Sequence, residues 1–151
     1  MEIFFDTEYK IIQYDESNHI LIGSWKLSPT SQEYRTGMMA MIDAMKKYNT
    51  GRLVYDTTNF GIILEDDQKW SVGEWREKAV AVGHSKVGFV MSKDIFSKMS
   101  GENMMDMTDD KVSFGYFLRM EDAIRWVVIP QQNKEAGAHT INEEQNNNTI
   151  L

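Results

Sequence analysis

The chain has no cysteine. Disulfides and thiolate metal sites are therefore excluded, and the composition fits a reducing compartment. It also lacks any basic cluster longer than Lys46-Lys47, and 23 acidic residues against 16 basic ones give a formal charge of −7. A general binder of nucleic acid or of anionic membrane needs a basic face, so neither partner is expected. No apolar run is long enough to span a membrane, and the opening MEIFFDTEYK has no basic stretch followed by apolar residues. Neither a signal peptide nor membrane insertion is expected, and the reading is a cytoplasmic protein. Phosphate-cradling glycine loops are missing too. Gly51, Gly61, Gly83 and Gly88 are spaced as punctuation, and Ser71, Ser92 and Ser113 stand in no G-x-S-x-G context.

What is present suits one domain: 151 residues, 42% of them apolar, support a core of ordinary size. Glu2–Asp6, Tyr9–Tyr14 and His19–Trp25 are β-rich, and the last two flank Asp15-Glu16-Ser17-Asn18 as an antiparallel hairpin. Ser28-Pro29-Thr30-Ser31 opens a helix with Ser31 as its N-cap and Glu33 in its first turn. Tyr34, Met38, Met41, Met45 and Tyr48 form one helical stripe. A Met-rich core face against a sheet is the ordinary reading of such a stripe, and a ligand groove is the sharper one.

Arg52–Asp56 is the next strand, and Glu65 to about Val82 reads as a helix in which Val72, Trp75, Ala79 and Val82 share a face. Gly73 is a weak point in it, where a break or kink can form. Trp70 and Trp75 are five residues apart and would point about 140° apart on an α-helix, so only one of them is expected to face the core. Lys86–Met91 is a buried-type strand, and Asp94 caps a helix to about Met99 with Ile95 and Met99 inward. Val112–Phe117 has period two, with Val112, Phe114 and Tyr116 on one side and Ser113, Gly115 and Phe117 on the other. Met120–Val128 is a last helix with Ala123, Ile124 and Val127 inward. From Pro130 onward the chain is polar and rich in Asn and Gln, so residues 1–129 are expected to form the domain and 130–151 a flexible tail. Strands alternating with helices imply an α/β fold with a mixed, mainly parallel sheet and an antiparallel N-terminal hairpin.

The stretch RLVYDTTNFGIILEDDQ, Arg52 to Gln68, is the candidate working edge. Sites in open α/β sheets gather at the carboxyl end of a strand and the start of the next helix. Asp56, Glu65, Asp66 and Asp67 could converge on a hard cation, but no EF-hand or DxD spacing supports one. The plainer reading is a strand-end turn in which Asp56 caps amides, followed by an acidic first helical turn. Phe60–Leu64 is apolar yet lies in a connection. It is either a hydrophobic lip for a partner or apolar ligand, or a loop folded on the core with Trp70 as its lid. His19, His84 and His139 stand beside no nucleophile and read as surface residues. An enzyme is the least supported class, since no nucleophile–base pair can be read.

Trp25, Glu33-Tyr34-Arg35, Asp56-Thr57, Glu65-Asp66-Asp67-Gln68 with Trp70, and Ala123-Ile124-Arg125-Trp126 give residues 1–128 a pattern that resembles the small bacterial SpoIIAA-like proteins of the STAS superfamily. The resemblance implies a mixed sheet with helices mainly on one side and a role as a protein-interaction switch. The phosphorylated serine that such switches carry at a helix start has no match here, because Glu65, Asp66 and Asp67 occupy that turn. Helices on one side would leave the other sheet face needing cover, so a homodimer through Ile20, Ile22 or Phe117 is expected. The expected function is a non-enzymatic interaction or regulatory module without a cofactor. A protein partner would dock through Asp56, Thr57, Thr58, Phe60, Asp66, Asp67 and Trp70. The alternative is a carrier or sensor of a small, lipid-like apolar ligand held by the Met-rich helix, Phe60–Leu64 and Trp70.

Overall fold

A computed structural model describes residues 1–99 and 111–130. Its six strands lie in one sheet in chain order, β1-β2-β3-β4-β5-β6. β1 (Glu2–Asp6), β2 (Lys10–Asp15) and β3 (Ile20–Trp25) are antiparallel neighbours, while β4 (Arg52–Asp56), β5 (Lys86–Val90) and β6 (Ser113–Phe117) continue in parallel. The fold is thus the expected α/β one with a mixed sheet. Each parallel step is bridged by helix: α1 (Ser31–Tyr48), the α2 (Glu65–Trp70) and α3 (Arg76–Ala81) pair, and α4 (Lys93–Met99). A last helix, α5 (Met120–Val128), follows β6.

The period-two pattern of the strands divides the core in two. Ile12, Leu21, Leu53 and Val87 face the α1 side, where they meet Tyr34, Met38, Met41 and Met45 of the predicted stripe. Ile20, Ile22, Val54 and Val90 face the other way, against Ala123, Trp126 and Val127 of α5. This second cluster removes the stated ground for a homodimer. Ile20 and Ile22 are buried under α5, and Phe117 packs at 5.7 Å from Trp126.

Three local expectations are corrected. The N-cap of α1 is Thr30, not Ser31: its hydroxyl accepts from Glu33 N at 3.2 Å while Glu33 Oε1 accepts from Thr30 N at 2.9 Å. This reciprocal box satisfies two free amides at once, which Ser31 one residue later could not do. Ser92, not Asp94, starts α4, its Oγ accepting from Ile95 N at 3.4 Å.

The third concerns Trp70 and Trp75, on either side of Gly73. The α-helix is interrupted there by a π turn, Ser71–Trp75, which joins α2 to α3. Arg76 N–H reaches back five residues to Ser71 O. The inserted residue lets five positions turn about as far as four do in an α-helix, so Trp70 and Trp75 come to within about 40° of each other. Both therefore pack on the same core, contrary to the expectation from an unbroken helix. No helix among the described residues is long and apolar enough to cross a membrane. The polar stretch 101–110, the inward placement of Met99 and the tail beyond Pro130 lie outside the residues and side chains described.

Candidate docking site

Asp56 ends β4 and caps its own turn, its Oδ1 accepting from Thr58 N at 3.0 Å and from Thr58 Oγ1 at 2.7 Å. Thr57 ties that turn to the neighbouring strand, donating both its N–H and its hydroxyl to Val90 O at 2.8 Å. Phe60 N then closes the turn on Thr57 O at 3.0 Å. Asp56, Thr57 and Thr58 are thereby satisfied among themselves and β5.

The apolar bridge divides between the two readings offered for it. Phe60 is buried, edge-on to Trp25 at 5.1 Å and to Tyr34 at 5.7 Å. Gly61 N donates to Ser28 Oγ at 2.8 Å, and Gln68 Nε2 donates to Ile63 O at 2.9 Å. Between these pins the chain alternates like a strand: Ile63 leans on the core, while Ile62 is 92% and Leu64 61% exposed. The loop is folded onto the core and also presents a lip.

Asp67 is the exception to the acidic first turn. Glu65 and Asp66 are exposed, but Asp67 is 2% exposed and accepts from Ser31 Oγ at 2.8 Å and Arg35 Nε at 2.9 Å. A buried carboxylate must be paired in this way or it would not remain inside. Arg35 also lies over the Trp70 ring at 5.0 Å, and Trp70 meets Tyr34 edge-on at 6.3 Å. Tyr34 Oη is 2.6 Å from Ser71 Oγ, which in turn donates to Asp67 O at 2.8 Å. Burial foremost, with the Asp67 charge adding, raises the Tyr34 pKa against the opposing Ser71 hydrogen bond. One α-helical turn, Ser31 to Arg35, thus clasps α2.

Of the seven residues singled out from sequence, Phe60, Asp67 and Trp70 converge on Tyr34 and Arg35. Asp56, Thr57 and Thr58 form a separate turn, and Asp66 stays in solvent. Among the described residues no three His, Cys, Asp or Glu side chains gather to hold a metal. In sequence, Ser31 reads as a helix cap and Arg35 only as part of the Glu33-Tyr34-Arg35 pattern, and nothing there joins either of them, or Ser71, to Asp67. Lys10 does carry a signal: on β2 it shares the inward parity of Ile12, and it is fully buried. His19 is exposed as expected, but His84 is buried, its Nδ1 3.0 Å from Gly51 O and its ring 5.8 Å from Trp75.

Two open clefts lie away from this rim. One of about 470 Å³ is lined by Met1, Glu2, Tyr14 and Glu16, and one of about 300 Å³ includes His19, Asn49 and Arg52. No known family model, curated protein or solved structure matches the chain.

Proposed function

We propose that the chain is a non-enzymatic interaction module that docks a protein partner on the rim after β4. The observation that carries this is the pair Ile62 and Leu64, exposed on a connection pinned at both ends by Phe60, Ser28, Gln68 and Asp67. A lip held rigidly in water loses little conformational freedom when a partner covers it. Exposed Glu65 and Asp66 follow Leu64 directly, and the chain carries a charge of −7, so the complementary partner has an apolar knob flanked by basic residues. The resemblance to STAS-superfamily switches points the same way.

The carrier reading expects an apolar cavity between α1 and the Phe60–Leu64 bridge. Phe60, Trp25, Tyr34 and Met38 pack together there instead. The test identifies a protein captured from source-cell extract, purifies it and titrates it against the wild type and an Ile62→Lys/Leu64→Lys variant. Binding at least tenfold weaker in the variant, with circular dichroism unchanged, is the expected result. Equal affinity removes the rim as the docking surface, and capture of a second copy of the chain replaces the basic partner with self-association.

A further inference from the structure

We propose that α2 has two registers, that the π turn is the device between them, and that the Ser31–Arg35 clasp holds the register in which the rim is displayed. The inference rests on the rim reading for its consequence only; the register change is read without any partner.

Two sets of anchors require the π turn. On the α3 side, Trp75 donates its Nε1–H to Met38 O at 2.8 Å, and Ala79 is fully buried. On the α2 side, Asp67 is held by Ser31 and Arg35, and Trp70 packs on Tyr34 and Arg35. An unbroken α-helix would set Trp70 about 140° from Trp75 and could serve only one set. The π turn serves both, at the expense of Val72, which is 67% exposed.

The sequence nevertheless carries the other register. Val72, Trp75, Ala79 and Val82 have the spacing of a continuous α-helical face. Closing the π turn to α rotates α2 by about 100° and shifts it by about 1.5 Å. Val72 then turns inward beside Trp75, Asp67 and Trp70 leave Arg35, and Ile62 and Leu64 move with the helix start to which they are joined. Gly73 sits in the middle of the turn, and a Cβ there would meet nothing within 4 Å, so no contact at this position holds the observed register. Asp67, Arg35, Tyr34 and Ser71 are left to decide. Two packings of one segment, each with its own inward residues, make a bistable element.

The absence of cysteine makes the test clean, since Val72→Cys would be the only thiol. In the otherwise wild-type chain this thiol is expected to react with a maleimide at close to the rate of the unfolded protein. Adding Arg35→Met, or separately Asp67→Asn, is expected to slow it at least tenfold with helical circular dichroism retained. Deleting Gly73 as well brings both anchor sets into phase on a plain α-helix and is expected to restore the fast rate. An unchanged rate in both folded clasp variants overturns the proposal. So does a faster rate with loss of helicity, which means that α2 melts rather than re-registers. Loss of partner binding in the Ile62 and Leu64 variant is a separate readout that these rates do not share.

Discussion

Lys10 is the residue that departs furthest from ordinary burial. It is fully buried, donates from Nζ to Gly37 O at 2.9 Å, and lies over the rings of Trp25 at 4.1 Å and Tyr55 at 4.8 Å. Two aromatic faces and one carbonyl replace the water that an ammonium group would have. Burial holds its pKa well below the usual lysine value. Replacing Lys10 by Met, which fills similar space without a charge, is expected to raise stability at pH 7 by about 1–3 kcal/mol, since well-packed apolar groups often outdo buried ions. Urea titration of the two proteins checks it. Gly37→Ala tests the same corner. Alanine would contribute about 1 kcal/mol of helix propensity. Its Cβ, however, would sit 2.9 Å from both Lys10 Cδ and Trp25 Cη2. Overpacking of that kind costs about 1–3 kcal/mol, so the variant is expected to be less stable.

At the scale of elements, the strands and helices could be read within a residue or two because their periods differ. Val112, Phe114 and Tyr116 alternate, whereas Tyr34, Met38, Met41 and Met45 recur at three and four. What could not be read was how each element ends and phases. Thr30 rather than Ser31 caps α1 because the chain is extended there, with φ −69° and ψ 167°. The π turn was illegible for a related reason: it follows from anchors on α1, not from propensity in Ser71–Trp75. Thr30→Ala is expected to cost about 1 kcal/mol, read by thermal unfolding. Gly51 joins two elements more severely. A Cβ there would lie 1.7 Å from Gly83 O, a backbone atom with nowhere to move, because Ser85 N and His84 Nδ1 both bond Gly51 O at 3.0 Å. Gly51→Ala is therefore expected to lose more than about 3 kcal/mol, beyond the common range of single substitutions.

For the molecule as a whole, α5 decides whether the second sheet face is covered. Its last turn is clasped by two cations: Lys86 Nζ donates to Ile129 O at 2.9 Å, and Arg52 Nη1 donates to Val128 O at 3.0 Å. Positive groups suit a helix C-terminus. Removing residues 120–151 uncovers Ile20, Ile22, Val54 and Val90, and light scattering is expected to show larger assemblies than the full 17.5 kDa chain forms at the same concentration.

Burial first, then the charge of Arg52, brings the Lys86 pKa down to about 8. The unfolded chain keeps that proton up to about 10.5. Between these values the unfolded state binds more protons, so stability rises with pH across the window and is flat below it as far as Lys86 is concerned. Tyr116 acts in the opposite sense: burial raises its pKa to about 12, so above about 10 the folded state keeps a proton the unfolded one has lost, and stability falls. A maximum near pH 9–10 is expected in urea midpoints measured from pH 7 to 11, with the rise above pH 8 reduced in Lys86→Met.

Composition and periodicity alone settled the class of this protein: an acidic, cysteine-free α/β chain whose helical and strand segments follow from apolar residues at periods of 3.6 and 2. Those signals are local, and burial of one face enforces them wherever the segment lands. The site was only half visible, because its parts meet through space. Asp67 is a clasped, buried carboxylate rather than a solvated helix start because Arg35 and Ser31, more than thirty residues earlier, arrive beside it. Phe60 is buried because Trp25 and Tyr34, distant in sequence, receive its ring edge-on, while Ile62 two residues later faces water. The cover over Ile20 and Ile22 came from α5 rather than from a second copy, since Ala123, Trp126 and Val127 pack on the sheet face opposite α1.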